Sequence, residues 1–157
     1  MRAALQLIAS IGLCLGAGAI GALATNRTSL DWYATLQRPA FTPPSWLFGP
    51  VWTVLYVLMG VALFLVWRRG AEGASVNAAL GLFAAQLVLN ALWSPAFFGL
   101  RSPGLGLLVI VPLDVLIVLT VLAFWRITPT AGMLLLPYLG WTGFATVLNA
   151  FLFTMNR

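Results

Sequence analysis

The chain has no histidine, no lysine, a single cysteine and three acidic residues, Asp31, Glu72 and Asp114. Without histidine it lacks the commonest general base and metal ligand, and one cysteine makes neither an intrachain disulfide nor a thiolate cluster. Hydrolytic and metal-dependent chemistry are therefore missing their usual residues, and no metal site is expected. Charge is scarce altogether: 7% of residues are charged and 62% hydrophobic, with a mean hydropathy of +1.02. A domain of this size has too much surface to hide so many apolar side chains from water, which assigns the chain to a bilayer.

The eight basic residues are all arginine and leave a net charge of +5. They stand singly, or as the pair Arg68 and Arg69, close to the ends of apolar runs. That is the placement of anchors meeting lipid headgroups. No basic, aromatic groove is visible, so membrane lipid rather than nucleic acid is the expected partner.

Five apolar segments, at 3–24, 46–67, 77–100, 104–126 and 130–153, are each long enough to cross a hydrocarbon core once as a helix. Backbone polar groups in lipid must be satisfied within each segment. The expected fold is an all-α integral membrane protein, a single domain over 1–157. It is an antiparallel bundle of five transmembrane helices with a long, proline- and aromatic-rich first loop at 25–45. The first segment also imitates a secretory leader, with Met1-Arg2, an apolar stretch and the small-residue ending Ala22-Leu23-Ala24. Its length, and the spacing of Gly12, Gly16 and Gly21 with Ala17 and Ala24, favour a helix packed closely on a neighbour. One membrane side takes Arg2, Arg68, Arg69 and Arg126, the other Arg27, Arg38, Arg101 and Arg157, so the positive-inside rule assigns no orientation.

Among the acids, Glu72 in RRGAEGAS reads as a solvated loop charge, and Asp31 as a local cap or a partner for Arg27. Asp114 falls near the middle of the fourth segment, where an unpaired carboxylate is expensive. A bond to a neighbouring helix or a polar dimer contact precedes ligand binding among its readings.

Side-chain faces carry more information than hydrophobicity. The second segment aligns Trp52, Tyr56 and Met59 on one helical face, and the third aligns Gln86, Asn90, Trp93 and Phe97. The fifth aligns Tyr138, Trp141, Ala145 and Leu148 or Asn149. Helix packing explains any one stripe. The amides of Gln86, Asn90 and Asn149 are costly in hydrocarbon and should point inward. By helical rise Trp52, Asn90, Trp93 and Asn149 fall in the half of the bilayer nearer the first loop, with Tyr56 and Trp141 near midplane. An aromatic box with a few amides at its rim suits a flat, largely apolar ligand. Pro95, Pro112 and Pro137 lie within the last three segments, where they either kink helices and make room between them or are merely tolerated.

The stretch WYATLQRPAFTPPSWLFGPVWTVLY at 32–56 packs seven aromatics, four prolines and one arginine into 25 residues. With NALWSPAFFG at 90–99 and PYLGWTGFATVLN at 137–149, it closely resembles the TspO/MBR family. These are the tryptophan-rich sensory proteins and translocator proteins, formerly the peripheral-type benzodiazepine receptors. The motifs lie in the family's order and the resemblance covers nearly the whole chain.

The resemblance implies a five-helix membrane protein, a homodimer in many members, that binds porphyrins and other heme-type tetrapyrroles as ligands, with no cofactor required. It also implies cholesterol in some members, synthetic benzodiazepine-type ligands, and a first loop folded over the bundle as a lid. Pro39, Pro43, Pro44 and Pro50 would stiffen that lid, and Trp32, Tyr33, Phe41 and Trp46 would close it against membrane and pocket. Motif by motif, the family's pocket tryptophans fall on Trp52 and Trp141, and its third-helix asparagine and tryptophan on Asn90 and Trp93. Its small residue beside the ligand falls on Ala145, with Leu148 and Asn149 a turn later, and its lid tryptophan on Trp32. Tyr56 and Tyr138, from the same stripes, complete the expected ligand-binding set. Two departures stand out. Ala150 occupies the position where the animal cholesterol pattern needs tyrosine, which lowers the expectation of specific cholesterol binding. Val109 replaces an acid common in the fourth helix, so Asp114 is not carried over.

The implied function is a bacterial-type membrane translocator or sensor, in an inner or outer membrane, that takes a porphyrin through the loop side, with Arg38 attracting propionates. A rival of another class is light-dependent or oxidative breakdown of the porphyrin, with Trp52 and Trp141 supplying electrons or quenching reactive species. A third reading is a stress-response scaffold.

Overall fold

The computed structural model describes residues 2–69 and 74–157. It contains α1 (Arg2–Ala22), α2 (Arg27–Thr35), α3 (Ser45–Arg68), α4 (Ala74–Ser94), α5 (Pro103–Ile127) and α6 (Pro129–Met155), with a π-helical turn, Pro95–Gly99, continuing α4. All except α2 are parts of five helices long and apolar enough to cross a membrane, and no strand occurs among the described residues. Glu72, read above as a loop charge, lies outside the described residues.

The first connection is not a continuous loop, because α2 occupies its first half. Asn26 begins that helix with a capping box: its Oδ1 accepts from the Ser29 N–H at 2.9 Å, and its own N–H donates to Ser29 Oγ at 3.0 Å. Asp31, expected as a local cap or partner, is an exposed residue within the helix, and Asn26 does the capping. Beyond Thr35 the chain runs without helix to Pro44, interrupted by a turn at Ala40 and Phe41 in which the Thr42 N–H donates to the Pro39 carbonyl at 3.0 Å; Pro39, Pro43 and Pro44 oppose helix there by withholding N–H donors.

Proline also shapes the other ends. Pro95 cannot donate, and the helix widens there, with the Leu100 N–H reaching Pro95 O at 2.9 Å. Arg101 follows in a left-handed conformation at φ 49°, and Ser102 Oγ then caps α5 through the Leu105 N–H at 3.2 Å. Only Thr128 separates α5 from α6; Pro129 after it holds it extended and occupies the first helical position, where no donor is needed.

Packing closes the five long helices into a ring in the order α1, α3, α6, α5, α4. Met59, Ala62 and Val66 of α3, Phe83 of α4, Leu113 and Ile117 of α5 and Leu135 of α6 fill its interior. At the end away from α2, Phe83 and Phe124 stack with centroids 5.6 Å apart. The outside is equally apolar: Ile8 is 67% exposed and Leu108 71%. Helices apolar on every side belong in lipid, and this is an integral, multi-pass membrane protein.

Within the chain, Gly12 and Gly16 make no close contact with another helix. A Cβ at either would meet nothing within 4 Å. The close approach of α1 to α3 uses Gly18 and Gly60 instead, where a Cβ would lie 2.3 Å from the Tyr56 ring and 2.5 Å from Ile11 Cα. At Gly21 an added Cβ would lie 3.3 Å from the Ala91 carbonyl oxygen of α4, which Pro95 leaves without its helical donor.

Candidate functional site

Near the middle of the bundle the stripes of α3, α4 and α6 meet in a directional chain of hydrogen bonds. The Tyr56 hydroxyl donates to Asn90 Oδ1 at 2.6 Å, and Asn90 Nδ2 donates to the Tyr138 hydroxyl at 2.9 Å. Tyr138 in turn donates to Gln86 Oε1 at 2.8 Å. The chain uses each phenolic proton once and ends at Gln86 Nε2, which is buried without a partner. Asn90, Tyr138 and Gln86 are all buried and, Gln86 Nε2 apart, their amides and hydroxyl are satisfied by one another and by Tyr56.

Trp52 lies one turn from Tyr56 on α3 and stacks on it with centroids 5.4 Å apart, at an interplanar angle of 28°. It meets Tyr138 edge-on at 6.2 Å. Ala145 is buried in the same core, and Trp141 packs against it. The Trp141 ring contacts Phe48 and Phe144, each at 5.7 Å, and its indole Nε1 is buried with no hydrogen-bond partner.

A second cluster lies toward α2. The Trp93 indole N–H donates to Asn149 Oδ1 at 3.2 Å, and Asn149 Nδ2 donates to the Pro103 carbonyl at 2.7 Å. Trp93 stacks on Phe97 at 5.2 Å, and Leu148 is buried in this cluster. Gly106 makes the approach possible, since a Cβ there would sit 2.6 Å from Asn149 Oδ1 and 2.7 Å from the Phe97 ring. From above, α2 lowers Trp32 and Tyr33 onto Phe97 at 5.7 and 6.1 Å. Arg38 sits over the Tyr33 ring, 5.5 Å from its centroid, beside a groove of about 530 Å³ that also borders Thr42 and Ser45. Burial pushes the Tyr33 phenol above its usual range, and the Arg38 cation partly opposes this.

The ten residues of the expected set thus divide. Trp52, Tyr56, Asn90, Tyr138, Trp141 and Ala145 belong to the central core, Trp32, Leu148 and Asn149 to the cluster beneath α2, and Trp93 packs against both. Gln86 and Phe97, on the α4 stripe but outside that set, are integral to the two clusters. Phe48 and the Pro103 carbonyl carried no periodic signal. Asp114 finds its partner on the neighbouring helix: Thr146 Oγ1 donates to its Oδ2 at 2.6 Å, while Oδ1 is buried without a donor. Of the aromatics assigned to the lid, Trp46 is 71% exposed and directed outward, as a headgroup anchor would be.

The model of the TspO/MBR family matches residues 10–155. "Tryptophan-rich protein TspO" of Chlorobaculum tepidum is 47% identical over 152 residues, covering 97% of this chain and 96% of that protein. A protein of the same name from Archaeoglobus fulgidus is 44% identical, covering 97% of both chains. The human "Translocator protein" is 40% identical over 131 residues, 83% of this chain and 78% of the human one.

Proposed function

The chain belongs to the TspO/MBR family, and on that premise we propose that it is a translocator or sensor of a bacterial membrane that binds a porphyrin within the bundle. The observation that carries this reading is the pair of buried, partnerless donors, Trp141 Nε1 and Gln86 Nε2, beside the ring system of Trp52, Tyr56 and Tyr138. A donor buried without an acceptor costs about 1–3 kcal/mol, and an acceptor on a ligand removes that cost. Rings supply contact area for a flat macrocycle, while amides orient its polar edge. Arg38, at the groove on the α2 side, offers a cation to propionates as they approach. A sterol or a benzodiazepine-type ligand would use the same rings with fewer polar contacts.

Titration of the purified protein in mild detergent with protoporphyrin IX, followed by the Soret band and tryptophan quenching, tests the proposal. Saturable binding that weakens in Trp52→Ala and Trp141→Ala is the expected result. Linear partitioning, or binding unchanged in both folded variants, would overturn it. The Trp52–Tyr56 stack favours a second reading, photo-oxidative porphyrin breakdown, since a tyrosine beside Trp52 could return an electron to it. A defined product formed only under illumination, and lost in Trp141→Phe while binding survives, would select that reading.

A further inference from the structure

We propose that Asn156 is a latch that holds the first connection closed over the α2 end of the bundle, and that its release sets how fast ligand enters and leaves. The kinetic half of this statement rests on the ligand-binding function proposed above; the structural half does not.

The Gln37 N–H donates to Asn156 Oδ1 at 2.9 Å, and Asn156 Nδ2 donates back to the Gln37 carbonyl at 2.9 Å. A primary amide carries the same donor and acceptor as a peptide group, so this reciprocal pair reproduces one rung of a strand ladder. Asn156 Nδ2 also donates to the Leu152 carbonyl at 2.9 Å, one turn back on α6. Both amide hydrogens are then in use, and the bond to Leu152 orients the side chain before Gln37 arrives. Aspartate would keep the acceptor and lose both donors, and alanine would lose all three bonds.

The rest of the segment has little else to hold it. The Thr42 N–H and hydroxyl both return to the Pro39 carbonyl, at 3.0 and 2.7 Å, and the Leu36 N–H returns to Tyr33 O. Pro39, Pro43 and Pro44 have no N–H to give. Beyond Asn156, this stretch is tied to α6 at its start by Leu36, packed on the cluster of Phe97, Leu148 and Leu152, and further along by Phe41, edge-on to Phe151 at 5.3 Å and to Phe144 at 6.3 Å, yet 45% exposed. On one flank α2 is held by its rings on Phe97, and on the other α3 begins at Ser45. With Leu36 anchored in the cluster, the proline-stiffened span from Gln37 to Pro44 can therefore lift as a unit when the two Gln37 bonds break and Phe41 peels away.

Neither Gln37 nor Asn156 belongs to the central chain or to the Trp93–Asn149 cluster, so the latch bonds form alike with and without ligand. Their loss raises the open population equally in both states. Entry and exit then accelerate by one factor and affinity stays constant, whereas a residue that touched ligand would change affinity.

The first arm compares hydrogen exchange of a peptide spanning 36–42 in the wild-type protein, Asn156→Ala and Asn156→Asp, without ligand. Two neutral hydrogen bonds correspond to roughly tenfold faster exchange in Asn156→Ala, with Asn156→Asp between the two and protection of α4 and α5 unchanged as the check on folding. Equal exchange in the wild-type protein and either folded variant overturns the latch. The second arm is stopped-flow mixing with protoporphyrin IX. Association and dissociation rates should rise together by about tenfold with an unchanged Kd; a Kd that moves without the rates moving in parallel overturns the gating role. If the wild-type protein itself fails to bind porphyrin saturably, the functional proposal falls, and the exchange arm still decides the latch.

Discussion

Replacing Gly18 by alanine separates the part of α1 that shapes the site from the part that merely crosses lipid. The new Cβ would stand 2.3, 2.7 and 2.8 Å from three atoms of the Tyr56 ring, where ordinary contact begins at 3.4 Å. The ring must therefore move by about 1 Å, since the helix backbone behind Gly18 has less freedom than a side chain. Its hydroxyl holds Asn90 at 2.6 Å, and a shift of that size disturbs the length or angle of a bond whose strength depends on both. The Trp52 stack shifts with it. Overpacking costs about 1–3 kcal/mol, but alanine recovers about 1 kcal/mol of helix propensity over glycine. The net loss is small, a few degrees in Tm at about 2–4 °C per kcal/mol. Ligand affinity should suffer more, by about tenfold, because the first link of the buried chain is weakened. The control is Gly12→Ala on the same helix, where a Cβ meets nothing; its Tm should equal or exceed the wild-type value and its affinity should be unchanged. Thermal melts and protoporphyrin IX titrations of both variants measure this. The reasoning is refuted if Gly18→Ala binds as the wild-type protein does, or if Gly12→Ala is equally impaired.

Gly60→Ala should be far more damaging to stability, because its Cβ would lie 2.5 Å from Ile11 Cα and 2.9 Å from Ile11 N, backbone atoms that cannot rotate aside; a loss of about 3 kcal/mol would appear as a fall in Tm on the order of 10 °C, and a Tm within a degree of wild type would contradict the packing described. Asn149→Leu strands the Trp93 N–H and the Pro103 carbonyl; with membrane hydrogen bonds averaging about 0.6 kcal/mol each, a Tm lower by a few degrees is expected, and an unchanged melt would show that the cluster adds nothing. Thr146→Val removes the donor to Asp114 and leaves both carboxyl oxygens without one, so it should melt below Thr146→Ser, which keeps the hydroxyl; equal melting of the two variants would discount the bond. Burial raises the folded pKa of Tyr33 above the ordinary phenol value of about 10, so its contribution is complete below that pH and fades as pH rises through the folded value. Tyr33→Phe should therefore flatten the alkaline decline in Tm, and parallel declines would count against burial of that phenol.

Some of this molecule could be read one residue at a time. Water cannot accommodate so much apolar surface on so short a chain, and this alone required a bilayer and hence helices. The 3.6-residue repeat placed Gln86, Asn90, Trp93 and Phe97 on one face, and the expense of amides in hydrocarbon turned that face inward. The cap of α2 was also readable, since Asn26 and Ser29 stand at capping-box spacing. It was obscured by the prolines that follow, which made the whole stretch look like loop.

Partners were another matter. The bonds Tyr56–Asn90 and Tyr138–Gln86 join residues 34 and 52 positions apart, and the Asn156–Gln37 clasp spans 119. Periodicity gives each helix a face but not its rotation against the next, nor the depth at which two faces meet. Hydrophobicity does not supply the difference either, because lipid and a neighbouring helix are equally apolar solvents for a leucine. The glycines illustrate the limit. Gly12 and Gly16 carry the spacing of a packing motif yet touch no other helix of the chain, while Gly18 and Gly60 carry the contact between α1 and α3. Which glycine touches a neighbour depends on where that neighbour's bulk falls, and only the closed ring of five helices brings Tyr56 against α1, Asn90 between two phenols and Asn156 beneath the first connection.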